Sequence, residues 1–183
     1  GAIIVVHLGG SPATPPDHPN VIEDCAHAFG SDLPPTDNLR CWSFNAVKNL
    51  SIGSGGGVST NDEAIVKELK RLRWMGITKD TAARHEGAYA WDYDVPTLGY
   101  NYAMSDVQAA IGLAMLPHVA EQNERRREIG RQYSKELTTG FDEQSSCHFV
   151  PTFVKDRERV MRALAAADIE SGVHYKPNHL YSP

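Results

Sequence analysis

The opening run Ala2-Ile3-Ile4-Val5-Val6-His7 shows no alternation of apolar and polar residues, so as a strand it needs cover on both of its faces. Asn20 to Glu23, Leu39 to Ser43 and Gly57 to Thr60 are further short apolar or β-branched runs, each bounded by Gly, Pro, Asn or Asp. Together they predict the strands of a mostly buried sheet. Asp62 to Trp74 then predicts a helix, with Thr60 or Asn61 available as cap, Ile65, Val66, Leu69 and Leu72 on one face, and Gly76 as the stop. Strands giving way to helices favour an α/β sheet.

Ser105-Asp106-Val107-Gln108 has the spacing of a capping box and predicts a helix that carries Ala110, Ile111, Ala114 and Met115 inward. Pro117 should kink or restart it. Glu121 to Leu137 is highly charged with few apolar positions, as expected of a long exposed helix between two domains. Beyond it, His148 to Val154 reads as a strand, Arg157 to Ala167 as a helix and Gly172 to Tyr175 as a strand, a small α+β unit. The boundary falls near Pro117, dividing the chain into 1–116 and 117–183. With 183 residues and 41% apolar content there is enough material for one sizeable core or two small domains.

A net charge of −5 gives no general attraction to nucleic acid, and the basic clusters Arg125-Arg126-Arg127 and Lys70-Arg71-Arg73 fall in helical patterns where a solvated face explains them. Cys25, Cys41 and Cys147 lack the spacing of a zinc site or a disulfide framework, so free thiols in the cytoplasm are expected. No apolar run approaches the ~18 residues of a membrane span, and no basic region precedes the first strand as a signal peptide requires. A chain that starts in a core strand reads as one missing its beginning.

The chemistry concentrates in two segments, Val21-Ile22-Glu23-Asp24-Cys25-Ala26-His27-Ala28-Phe29-Gly30 and Trp42-Ser43-Phe44-Asn45-Ala46-Val47-Lys48-Asn49-Leu50. Asp24 ends an apolar strand, where ligands of open α/β sheets gather, although an Asp there also serves as a helix cap or turn residue. His27 follows it by three residues and fits either a ligand contact or a satisfied core histidine. Lys48 is bracketed by Phe44, Val47 and Leu50 and followed by Gly53, Gly55, Gly56 and Gly57, so it differs from a solvated surface lysine: partial desolvation there favours the neutral amine. Ser43 and Asn49 are candidate phosphate donors or simple turn caps. A metal reading of His7, Asp24, Cys25 and His27 lacks a second spaced ligand pair. An amine, a carboxylate to keep a pyridine nitrogen protonated, and phosphate donors are what pyridoxal phosphate (PLP) chemistry needs, and Lys48, Asp24 and Ser43 are residues of those types.

These segments, with Leu98 to Leu116 and Gly172 to Tyr181, make the chain resemble the sugar aminotransferases of the DegT/DnrJ/EryC1/StrS family, fold type I PLP enzymes. The resemblance implies a partial large PLP-binding domain over 1–116 and a partial small C-terminal domain with its linking helix over 117–183. It also implies a fragment or a chain with loops absent from the numbering, because family members are about twice this length. By the same match Lys48 is the Schiff-base lysine, Asp24 the pyridine-nitrogen partner, His27 a neighbour of the ring oxygen and Ser43 a phosphate ligand, with Asn49 beside it. Asn101, in Gly99-Tyr100-Asn101-Tyr102, matches the residue sent across a dimer interface to the partner's cofactor phosphate, where the plain alternative is a turn residue before the Ser105 cap. His174 and Tyr175 match substrate contacts. Ser54 stands where the family usually has an acidic residue, Asn45 where His is common, and Ala103 where a larger polar or basic side chain is usual.

The expected activity is transfer of an amino group from an amino acid, glutamate by expectation, to a nucleotide-linked keto-sugar by a homodimer with shared sites. Two alternatives stand beside it. A sugar dehydratase of the same family replaces the lysine by histidine, which Lys48 argues against. A truncated, non-catalytic interaction or regulatory subunit draws its support from the missing N-terminal part and from Ser54 and Ala103.

Overall fold

In the computed structural model, which describes residues 1–78, 91, 93–175 and 180–181, the four predicted runs assemble as one sheet in the order β1 (Ile3–Val6), β2 (Val21–Asp24), β3 (Leu39–Ser43) and β4 (Gly56–Ser59). β1 with β2 and β2 with β3 are parallel, and β3 with β4 is antiparallel. A parallel neighbour demands a crossover of roughly a dozen residues. Here the links 7–20 and 25–38 make it with no α-helix, only a 3-10 turn at Leu8–Gly10. Pro12, Pro15 and Pro16 in the first link lack the backbone donors a helix would use.

The register puts Ile3, Val5, Val21, Glu23 and Arg40 on one face of the sheet and Ile4, Val6, Ile22, Asp24 and Cys41 on the other. The first face holds the buried Val21 and Glu23. On the second, Ile4 is 65% exposed and Val6 44%, so the expectation of a sheet covered on both faces holds for only one of them.

α1 (Glu63–Leu72) turns Ile65, Val66, Leu69 and Leu72 inward as the periodicity requires. Its cap is Asp62, whose Oδ1 accepts the N–H groups of Ala64 and Ile65 at 2.8 and 3.2 Å. Thr60 and Asn61 do other work: Thr60 Oγ1 accepts the Asp62 N–H, and the Asn61 amide reaches back to Thr36 and Asp37. α2 (Asp106–Met115) begins at the expected Ser105/Gln108 capping box. Its buried side is rotated from the expected one, with Ala109, Gly112 and Met115 half-buried and Ala110, Ile111 and Ala114 exposed. Apolar residues encircle this helix, so periodicity does not select a face. Pro117 lies in a 3-10 turn, Leu116–His118, after which α3 (Val119–Glu136) starts as a separate helix. α4 is Arg157–Ala166, capped by Asp156.

The strands expected at 148–154 and 172–175 do not form among the described residues. Thr139 and Thr152 make a single antiparallel bridge, supported by Gly140 N–H to Pro151 O at 2.8 Å and Phe153 N–H to Thr138 O at 2.9 Å. Pro151 cannot donate to a longer ladder. The His148 N–H is drawn to the Gly9 carbonyl instead, 2.9 Å away. Bonds of this kind cross the expected boundary at Pro117: the Asp32 N–H donates to Gln144 O at 2.8 Å, and Ser146 Oγ donates to His27 O at 2.6 Å. Among the described residues no helix is long and apolar enough to cross a membrane.

Glu23 anchors the covered face. Its Oε2 accepts from His7 Nε2 at 3.0 Å and from Arg40 Nε at 2.9 Å, and its Oε1 accepts from Asn38 at 2.9 Å. His7 Nδ1 accepts the Ala13 N–H at 3.0 Å, which leaves the proton on Nε2 for Glu23 and ties the first crossover to the sheet. Burial alone would raise the Glu23 carboxyl, but the hydrogen bonds from Asn38, Arg40 and His7 outweigh it and hold the pKa at about 2. Atoms of His7, Glu23 and Cys25 lie within 4.8 Å of one another, as metal ligands do, yet the positive charge facing Glu23 is already the Arg40 guanidinium. Of the residues considered for a metal, Asp24 and His27 stand outside this cluster.

A carboxyl with a depressed folded pKa stabilises the fold above its unfolded value and loses that contribution as pH falls toward the folded one. Urea unfolding should therefore show about 3 kcal/mol of stability lost between pH ~5 and pH ~2. Glu23→Gln should remove most of that pH dependence and lower stability at neutral pH, because Arg40 loses its counter-charge.

Candidate active site

Asp24 closes β2 directly beside Cys41 of β3, and Ser43 closes β3 one step further on, so both side chains sit at the carboxyl ends of the parallel strands. Asp24 is half-buried. Its Oδ1 accepts the Ala26 N–H at 3.0 Å, which turns the chain into the second crossover, while Oδ2 takes no hydrogen bond among the described residues. Ser43 is half-buried too, and its Oγ accepts the Asn45 N–H at 3.4 Å.

Lys48 lies in the loop between β3 and β4. Antiparallel pairing makes this loop a closed hairpin end, pinned by four backbone bonds: Phe44 N–H to Gly55 O, Ile52 N–H to Phe44 O, Ala46 N–H to Gly53 O and Lys48 N–H to Asn45 O, each 2.9 Å. Burial lowers the Lys48 pKa below the ordinary lysine value, and the Asp24 carboxylate pulls weakly the other way. The buried Leu50 and Ile52 close the loop from below.

Asn49 is buried and fully engaged. Its Nδ2 donates to Asn123 Oδ1 at 2.7 Å and to Ser146 O at 2.8 Å, and its Oδ1 lies 3.0 Å from His148 Nδ1. No N–H of this amide is left over for a phosphate, so the structure assigns it to holding the loop. Asn123 of α3 in turn donates to Phe29 O at 3.0 Å.

His27 is buried, and its Nδ1 accepts the Gly9 N–H at 3.3 Å. Its ring stacks on His148, with centroids 4.4 Å apart and planes at 20°, and meets His174 and Phe149 edge-on at 4.9 and 5.5 Å. Burial and then the charge of Lys48 push His27 down to about 4, and burial together with His27 and Lys48 does the same to His148. Both imidazoles are neutral near pH 7. His174 and Tyr175, with rings 4.3 Å apart, form the exposed rim of this cluster. The structure thus brings Asp24, His27, Lys48, Asn49 and His174 into one neighbourhood. Asn101 is elsewhere, exposed and bridged to Trp74 at the end of α1.

His148 and Phe149 were not among the residues singled out from the sequence. The signal available was a histidine flanked by Ser145, Ser146 and Cys147, small residues suited to a tight buried turn, but nothing in its spacing ties it to His27 or Asn49. At Cys147 the chain adopts φ 47°, which aims His148 back at the first crossover.

The model of the DegT/DnrJ/EryC1/StrS aminotransferase family matches residues 1–183. The chain is 31% identical to the UDP-4-amino-4,6-dideoxy-N-acetyl-beta-L-altrosamine transaminase of Campylobacter jejuni, with 100% of this chain and 54% of that protein covered. Among solved structures, the sugar aminotransferase CalS13 from Micromonospora echinospora superposes with a TM-score of 0.83 at 31% identity, covering 99% of this chain and 55% of that one. Spr1654 from Streptococcus pneumoniae in its PLP-form gives 0.80 at 27% identity, covering 99% and 56%. The chain spans about half the length of the relatives it matches.

Close approach at Gly10 allows the 145–149 turn to dock under His27. Its φ is +96°, and a methyl group there would collide with Ser146 Oγ and the His27 carbonyl. Gly53, in the Lys48 loop, has φ +85° but open space around it. Gly10→Ala should therefore cost about 2–4 kcal/mol in chemical denaturation, strain plus displaced packing, whereas Gly53→Ala should cost about 1 kcal/mol.

Proposed function

The chain belongs to the DegT/DnrJ/EryC1/StrS aminotransferase family, and from that premise we propose that the protein is a PLP-dependent aminotransferase that moves an amino group from an amino acid, glutamate in our reading, to a nucleotide-linked keto-sugar. Its architecture is the α/β one of the fold type I PLP transferases. The observation that carries the reading is Lys48, an amine whose charged form is disfavoured by burial while Asp24 and His27 stand close enough to act on it electrostatically.

The donor set fits the cofactor. Asp24 keeps an oxygen open at the carboxyl end of β2, as a protonated ring nitrogen requires, and His27 is held neutral. Ser43 offers a hydroxyl, Lys48 an amine. Bound there, PLP supplies the electron sink that lets a C–H bond next to nitrogen be broken. Lys48 Nζ, whose charged form burial disfavours, would take the proton from the α-carbon of the amino donor and, in the second half of the cycle, deliver one to the acceptor carbon. Asp24 balances positive charge across the site. His27, accepting from Gly9 at Nδ1, retains Nε2–H as a donor for an anionic oxygen. His174 and Tyr175, exposed at the rim, are the side chains we assign to the sugar substrate.

We infer a homodimer in which Asn101 serves the partner's cofactor phosphate. Its support is the family match together with the exposure of Asn101, which is bridged to Trp74 just beyond α1.

Borohydride reduction of the PLP-saturated protein, followed by peptide mapping, should label Lys48. Label on Lys67, or on no lysine, would remove Lys48 from the site and leave the non-catalytic subunit as the better reading. Because burial lowers the Lys48 pKa, PLP capture should persist to lower pH than capture by an exposed lysine. Mixing an inactive Lys48→Ala chain with an inactive Asn101→Ala chain should restore about one working site per heterodimer. No recovery despite demonstrated subunit exchange would refute the shared site.

A further inference from the structure

Two backbone carbonyls determine the direction of every hydrogen bond beneath Lys48. Phe29 O and Ser146 O can only accept, so the Asn123 and Asn49 amides must present their Nδ2 atoms to them. Asn123 Oδ1 then accepts the second Asn49 N–H, and Asn49 Oδ1 is left facing His148 Nδ1 at 3.0 Å. Nδ1 of His148 therefore carries the proton. The Gly9 N–H demands the opposite of His27, whose Nδ1 is bare and whose Nε2 is protonated. Two stacked imidazoles thus hold opposite tautomers, each dictated by the backbone. The charged groups facing the pair are Lys48, Arg126 and His174, with Asp24 opposing them.

We propose that His148 is a positioning residue of the Lys48 site: by donating Nδ1–H to Asn49, the neighbour of Lys48 in the chain, and by stacking on His27, it holds the amine-bearing loop and the cofactor-side imidazole in one fixed relation. This rests on the PLP reading of the site. His148 acts through Asn49 and His27, and the two contacts are separable. His148→Phe keeps a ring for stacking and deletes the donor. His148→Asn places an amide N–H near the position of Nδ1 and deletes the stack.

The test is made on the full chain without cofactor, so that its outcome is read separately from PLP uptake, whose failure would count against the proposed activity instead. Nitrogen-15 imidazole spectra should show His148 as Nδ1–H and His27 as Nε2–H, unchanged from about pH 5.5 to 8. The opposite tautomer at either residue overturns the proposal with no variant needed. In reductive methylation, with the exposed Lys67 as internal reference, His148→Phe should slow Lys48 about threefold near neutral pH, the change produced by a half-unit rise in the amine's pKa as it reaches water. His27 should keep its single tautomer in that variant. His148→Asn should do the converse, leaving the Lys48 rate near wild type and freeing the unstacked His27 ring to turn away from the Gly9 N–H, which gives it mixed tautomers. If the Phe variant does not fold, the wild-type spectra and the Asn variant decide. Folded variants that move neither readout would reduce His148 to packing and overturn the proposal.

Discussion

A buried amide that must satisfy all its hydrogen-bonding atoms is a demanding object, and Asn49 is placed where three segments meet to do so. Its partners come from α3 and, twice, from the 145–149 turn, through the Ser146 carbonyl and the His148 ring, and both segments reach the loop between β3 and β4. Leaving any one of them out would strand a buried donor or acceptor at about 1–3 kcal/mol each. The amide therefore acts as a registration mark: the loop is correctly seated only when α3 and the turn are seated too. The lowered pKa of Lys48 follows from this, since the same burial disfavours its charged form.

Glu23 plays the corresponding part on the covered face of the sheet. It sits one residue before Asp24, and strand alternation sends the two carboxylates to opposite faces. One is consumed by Arg40, His7 and Asn38; the other keeps an oxygen open. An acidic pair at the end of a strand is thereby divided by geometry alone into a member spent on structure and a member with an oxygen to spare.

The strands were legible because their runs are short, dense and bounded by residues that cannot continue them; β3 occupies Leu39–Ser43 as read. The Ser105/Gln108 cap was legible because it is local. The buried side of α2 was not, since that helix is apolar all round and tertiary contacts, such as that of Ile52 with Gly112, select its side. The strands expected after residue 147 failed for a related reason: β-branched and aromatic residues there are used in ring contacts and a single bridge rather than in a ladder. At the site, Asp24, His27 and Lys48 announced themselves by their neighbours in sequence. Asn49 was read as a phosphate donor or a turn cap, and its part in holding the loop could not be read because its partners lie 74 and 97 residues away. His148 went unnoticed because its relation to His27 exists only in three dimensions.

The same separation has a kinetic side. β3, its loop and β4 form a hairpin of nearby residues, and such local structure closes early because little chain entropy is lost in closing it. The contacts around Lys48 and the two histidines join residues 97 and 99 apart and are expected to close late. On that expectation Lys48 is at first an ordinary solvated lysine at the end of a hairpin, and it becomes buried only when α3 and the 145–149 turn dock. The burial that lowers the Lys48 pKa is thus expected late in folding, and an incompletely folded molecule would carry the same residue with an ordinary lysine's charge.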